Sequence, residues 1–240
     1  MNKRGMTFSE KKFVLFTYLL STFLVPTSAV AQEGETAVAG VNHQLAVTVA
    51  NQDQSPATNV VVFLQPTNQN QSLPMNQTPL HIGQQDKAFV PYVSVMQKGS
   101  EVSFMNYDDI THHIYSPVGQ HKFSFKIKAS EEKIIDTIDE TGEIAMGCNI
   151  HDWMSGHILV VDTPYFAVTD DNGIAKLPDI QQGDYLLNVW HPQLSSDNNN
   201  DVSQTIEVNS TRSARVQLNT TLAREPVQEN SEDFDFLSDY

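Results

Sequence analysis

The sequence predicts an all-β chain of the β-sandwich class. Three observations carry that expectation. Helical periodicity is almost absent, short runs of alternating or β-branched residues recur, and turn signals such as "TDDNG" and "QQGD" separate the runs. Many short strands at this spacing are the pattern of an all-β sandwich.

The first residues stand apart from that pattern. Lys3, Arg4, Lys11 and Lys12 form a basic start, "FVLFTYLLSTFLV" is a short apolar run, and "PTSAVA" offers Ala29 and Ala31 as small residues of an A-x-A site. Residues 1–31 are therefore expected to be a secretory signal peptide, cleaved after Ala31, with no stable membrane insertion afterwards and the periplasm as destination.

The strands follow in order. "HQLAVTVA" (43–50) and "TNVVVFLQP" (58–66) flank the turn "NQDQSPA", and "NQNQSLPMNQTP" (68–79) reads as a polar connection. Further strands are expected at 92–97, 101–106, 112–116, 122–127, 133–138, 143–148 and 156–162. A last group covers 165–169, 173–177, 184–190, 204–208 and 214–218. Residues 221–240, ending "EDFDFLSDY", are acidic and patternless and are expected to be disordered.

The chain has a formal net charge of −15; loss of residues 1–31 removes four basic and one acidic residue and leaves −18. Such a balance argues against nucleic acid and anionic lipid and favours encounters with basic partners. One cysteine, Cys148, is the sole thiol of the chain. An exported domain often pairs its cysteines, so a lone one is a buried bystander, a reactive group or a metal ligand.

The surroundings of Cys148 favour metal. In "GCNIHDWMSG" (147–156), His151 follows three residues on and Met154 three after that. A thiolate, an imidazole and a thioether on one loop suit copper cycling between Cu(I) and Cu(II). Two histidines and a cysteine in a trigonal set, with a weak axial methionine, form the blue-copper arrangement. Upstream, "VSFMNYDDITHHIYS" supplies His112 and His113. Zinc could use the thiolate and imidazoles, but a thioether is a poor zinc ligand.

This pattern resembles the cupredoxins (plastocyanin, azurin, amicyanin), in which a first histidine follows an N-x-D-like loop and a C-x2-H-x(n)-M loop comes later. Here the halves are Asn106-Tyr-Asp108-Asp-Ile-Thr-His112 and Cys148-Asn-Ile-His151-Asp-Trp-Met154. The two-residue gap between His151 and Met154 is the amicyanin form. Phrases such as "HHIYS", "DTPYFAVTD" and "WHP" are similar to a methylamine-utilisation-like or plastocyanin-like subgroup. The resemblance implies one mononuclear copper on His112, Cys148, His151 and Met154. It places Asn106, His113, Asp152 and Trp153 around the ligands. Where the family usually has Asn after the first histidine, this chain has His113; where it often has Pro after the second, it has Asp152. Neighbouring strand residues face opposite ways, so His112 and His113 are not expected to share one metal.

The segment "DTPYFAVTDDNGIAKLPDIQQGDYLLNVWHP" (162–192) resembles the carboxypeptidase-regulatory-like, transthyretin-like sandwich. Its usual opening strand pair lies far upstream, at 45–66. The expected organisation is a cupredoxin Greek-key sandwich (76–162) inserted into a smaller, discontinuous transthyretin-like sandwich (43–66 plus 163–220). The implied function is a periplasmic electron carrier, not an enzyme, whose partner is a c-type cytochrome or a periplasmic oxidoreductase. Alternatives are a copper-trafficking protein and an envelope-associated binding module with a vestigial copper site. His43, His81, His121 and His191 lack ligand spacing and are expected at the surface or in turns. Met96, Met105 and Met146 are expected in the core.

Overall fold

The computed structural model describes residues 43–75, 78–117, 121–194, 203–209 and 212–226. The expected signal peptide and the tail beyond 226 lie outside the described residues. The fold class is all-β, as expected: no helix occurs among the described residues. The strands are β1 (His43–Ala50), β2 (Val61–Pro66), β3 (Leu80–Gln85), β4 (Ala88–Val90), β5 (Val93–Gln97), β6 (Ser100–Asn106), β7 (His112–Ser116) and β8 (Phe123–Ile127). They continue as β9 (Glu132–Ile138), β10 (Gly142–Cys148), β11 (His151–Val161), β12 (Phe166–Val168), β13 (Ile174–Ile180), β14 (Gly183–Trp190), β15 (Ser203–Val208) and β16 (Ser213–Gln217).

Four sheets form, with strand orders β13-β1-β16, β12-β2-β14-β15, β4-β3-β6-β9 and β5-β11-β10-β7-β8. The first two are made only of strands before residue 67 and after residue 165, and their inner faces share one core. Leu45, Val47 and Val49 of β1 alternate inward against Val62 and Leu64 of β2, Leu177 of β13, and Tyr185 and Leu187 of β14. Strands β3 to β11 form the other two sheets. Ile82, Phe104, Ile114, Met146, Met154 and Ile158 lie in the core between them.

A third cluster joins the sandwiches. Val61 of β2, Val93 of β5, and Leu159 and Val161 of β11 are buried together, with Phe63, Tyr92, Phe166 and Trp190 packed around them. β2 therefore buries both faces: Val62 and Leu64 turn to one core, Val61 and Phe63 to the junction. That explains why "VVVFL" reads as an unbroken apolar run instead of an alternation.

Three features depart from the sequence expectations. The hairpin β3–β4 has no foreseen counterpart. Its strands are "LHIGQQ" and "AFV", and its two-residue turn is Asp86–Lys87, with φ of 53° and 58°. Such a turn is most often signalled by Asn-Gly or Asp-Gly, and Asp-Lys gives no such signal. Second, residues 221–226, expected to begin the disordered tail, lie along the first sandwich. Leu222 packs on its core, its N–H donates to Asn51 Oδ1 at 3.1 Å, and Glu225 bonds Asn59. Third, His43 and His191 are only 7 % and 2 % exposed, because both lie on or beside strands whose inner faces are covered.

His191 carries a measurable consequence. Burial, reinforced by the charge of nearby His157, pulls its imidazole down to about 4. Between pH about 6.5 and about 4 the unfolded chain binds a proton at this position and the folded chain does not. Stability is therefore fully present above 6.5 and falls as pH drops through that window, with a slope approaching about 1.4 kcal/mol per pH unit. Chemical denaturation of wild type and His191→Gln from pH 7 to 4.5 should show the variant with the shallower loss; parallel curves would refute this origin of acid sensitivity.

Candidate metal centre

The site lies at one end of the β3–β11 sandwich, where β6 leads through residues 107–111 into β7 and where β10 turns into β11. Asn106 builds the first of these connections. Fully buried, it accepts the Asp108 N–H on Oδ1 at 2.9 Å and donates through Nδ2 to the carbonyls of Ile110 at 2.7 Å and Ile127 at 3.2 Å. A side-chain acceptor two residues before the donor is an Asx turn, and here it sets the path on which His112 enters β7.

The second connection is an irregular hairpin. β10 and β11 pair from Gly142↔Val160 to Gly147↔Ser155, and then the register jumps to Cys148↔His151. The extra residues re-aim the chain so that His151 faces the site and Met154 turns into the core. Gly147 leaves room at the bend for Tyr115: a Cβ there would stand 2.9 Å from its ring and hydroxyl, so a larger residue needs that side chain to shift. The expected strand start at 156 is corrected to 151, because pairing resumes directly after the turn.

His112, fully buried, and His151, partly exposed, converge on the buried Cys148. Each places its Nδ1 at 3.7 Å from Cys148 Sγ, and their ring centroids are 5.1 Å apart. One ligand atom from each of the three residues lies within 4.8 Å of the others, and this is the metal-capable cluster found among the described residues. The spacing fits a metal. Bonds of about 2.0 Å to nitrogen and about 2.3 Å to thiolate, in one plane, set nitrogen and sulfur roughly 3.7 Å apart. Met154, 2 % exposed, shares the core cluster with Cys148. A donor set of one thiol and two imidazoles is soft enough for Cu(I) and nitrogenous enough for Cu(II).

The electrostatics keep the donors available. Burial lowers the His151 pKa, and the charges of His112 and Lys87 act in the same direction against an opposing effect of Asp108. The imidazole is therefore neutral, with a free lone pair, to lower pH than usual.

Of the surrounding residues expected from sequence, three bear on the site. Asn106 shapes the loop as described. His113 faces away from His112 and ties the two connections together: its carbonyl accepts the Asn149 N–H at 3.0 Å, its Nδ1 meets Asn149 Nδ2 at 3.1 Å, and its Nε2 meets Ser124 Oγ at 2.9 Å. Trp153 places its ring 5.4 Å from that of His151. Asp152 is exposed. Asp108, to which the sequence pattern gives no role, places its Oδ2 2.8 Å from His112 Nε2. The available signal was a carboxylate four residues before a ligand histidine.

No protein-family model matches the chain, and no curated protein matches it. Among solved structures, a copper-containing nitrite reductase from Thermus scotoductus SA-01 is similar at 26 % identity, over 40 % of this chain and 25 % of its own, with a TM-score of 0.34. This chain thus spans about a quarter of that enzyme's length. A purple cupredoxin from Nitrosopumilus maritimus matches at 19 % identity, over 34 % of this chain and 99 % of its own, with a TM-score of 0.31. An oxidised amicyanin variant matches at 15 % identity, over 34 % and 81 %, with a TM-score of 0.32.

The bend at Gly147 can be tested alone. Gly147→Ala should destabilise the protein by about 1–3 kcal/mol through overpacking against Tyr115. Tyr115→Ala in the same chain should recover most of that loss. A double-mutant cycle by urea denaturation reads the coupling, and additive costs would show that the two residues do not compete for the space.

Proposed function

We propose that the chain is a periplasmic type 1 copper protein that carries single electrons. Its β3–β11 sandwich is read as a cupredoxin unit inserted into a transthyretin-like sandwich formed by β1, β2 and β12–β16. The carrying observation is the pair of imidazole Nδ1 atoms, each 3.7 Å from one buried thiol. The pairing of β1 with β13 and β16, and of β2 with β12 and β14, supports the discontinuous organisation.

A copper ion in this set supplies a one-electron couple between Cu(I) and Cu(II). The chain's own residues do the rest. Cys148 offers the thiolate from inside the core, where water does not compete for it. His112, packed without exposure, would hold the copper through an imidazole that water does not reach. His151, the less buried of the two histidines, would give electrons the shorter way in and out. Met154, buried in the same core cluster as Cys148, would supply a weak thioether donor, and such a donor would tune the potential. Because these groups hang on paired strands and bonded turns, they would move little when the metal changed charge, which would keep reorganisation small.

Export is supported by the signal-like residues 1–31 and the partner class by the acidic balance: a c-type cytochrome or periplasmic oxidoreductase with a basic docking face.

Cu(II) added to the purified protein should give an intense thiolate-to-copper absorption band and a narrow hyperfine splitting in EPR, both lost in Cys148→Ser. Colourless protein that binds only Cu(I) would instead mark a trafficking role. Met154→Leu should keep the band and raise the reduction potential, because losing a donor costs Cu(II) more than Cu(I). An unchanged potential would remove Met154 from the coordination sphere.

A further inference from the structure

Two histidine–carboxylate contacts occur among the described residues, and one of them touches the candidate donors: Asp108 on His112. Both oxygens of this carboxylate are engaged. Oδ1 accepts the Asp86 N–H at 2.7 Å; Oδ2 accepts the Lys87 N–H at 3.0 Å and lies 2.8 Å from His112 Nε2. The two amides belong to the β3–β4 turn, whose left-handed residues aim successive N–H groups at one point. The hairpin that the sequence did not announce is thus attached to a ligand through a side chain.

The chemistry of the contact dictates which nitrogen of His112 is free. An ionised carboxylate only accepts hydrogen bonds, so Nε2 must carry the proton and donate it. A neutral imidazole protonated on Nε2 has its lone pair on Nδ1, and Nδ1 is the atom that faces Cys148 Sγ. Because His112 is fully buried, no water offers the ring a different partner.

We propose that Asp108 is the positioning residue of the metal centre, and that the Asp86–Lys87 turn is the device that holds it there. The inference rests on the copper reading above and adds a residue to it. Asp108 locks His112 as an Nδ1 donor. Through the hydrogen bond it also makes the imidazole a stronger donor, which favours the more highly charged Cu(II) over Cu(I).

Asp108→Asn tests this directly. An amide has one acceptor oxygen where three donors converge, so the tautomer is no longer dictated. Cu(II) affinity should fall about 10–100-fold, with a smaller loss for Cu(I). Each tenfold difference between the two losses appears as a rise of about 59 mV in potential. Asp109→Asn removes the same unit of charge one residue away, at an exposed position, and should leave both affinities within about twofold.

Nitrogen-15 NMR of the metal-free protein gives the independent readout. Wild type should show His112 protonated on Nε2, Asp108→Asn a mixture of tautomers, and Asp108→Glu, which keeps a carboxylate, a return to Nε2. A wild-type His112 protonated on Nδ1 overturns the proposal even if Asp108→Asn fails to fold. Equal potential shifts in Asp108→Asn and Asp109→Asn also overturn it. A wild type that binds no copper yet shows the Nε2 proton, lost only in Asp108→Asn, would sink the copper reading and uphold the lock.

Discussion

Everything notable at one end of this molecule depends on a single convergence: two imidazole nitrogens aimed at one buried sulfur. Burying the Cys148 thiol and the His112 ring without partners is costly, and the cost is met only if they bind something or one another. The surrounding structure is arranged to keep them aimed. Asn106 fixes the approach to His112, His113 ties the loop after Cys148 to β7, and a break in the β10–β11 register turns His151 one way and Met154 the other. None of these devices would be needed by a cysteine that merely fills space.

Much of the site was legible because its chemistry is local. Cys148, His151 and Met154 fall within seven residues, and the alternation rule separates His112 from His113 on one strand. The structure places His112 beside Cys148 and turns His113 outward. What escaped was whatever depends on the third dimension. Asp108 is an unremarkable loop carboxylate in sequence; its meaning comes from two amides of a hairpin more than twenty residues upstream. That hairpin was itself hidden. β4 is only three residues long, β3 is interrupted by a glycine, and the turn uses Asp-Lys at positive φ, where a glycine would have declared it.

The fold class was legible for a related reason. Period-2 alternation survives in β1, where one face is buried and the other open, and "HQLAVTVA" announces itself. It fails where both faces are covered, as in β2, or where a single apolar residue and a few hydrogen bonds hold an unpaired stretch, as at residues 221–226. Histidines mislead in the same way. His43 and His191 lack ligand spacing, which says nothing about whether a strand will bury them.

β11 links the metal centre to the rest of the molecule. Its first residues carry His151 and Met154, its middle pairs with β10 on one side and β5 on the other, and its last residues, Leu159 and Val161, are buried against the other sandwich. A strand fixed at its far end by a hydrophobic junction cannot slide, and a one-residue slip would turn every side chain to the opposite face. The register that presents His151 to the site and Met154 to the core is thus secured at the far end by Val61, Val93 and Trp190. This gives the second sandwich a mechanical role that requires no chemistry of its own. It backs the strand that carries His151 and Met154, and it restrains the kind of motion that would separate His151 from Cys148.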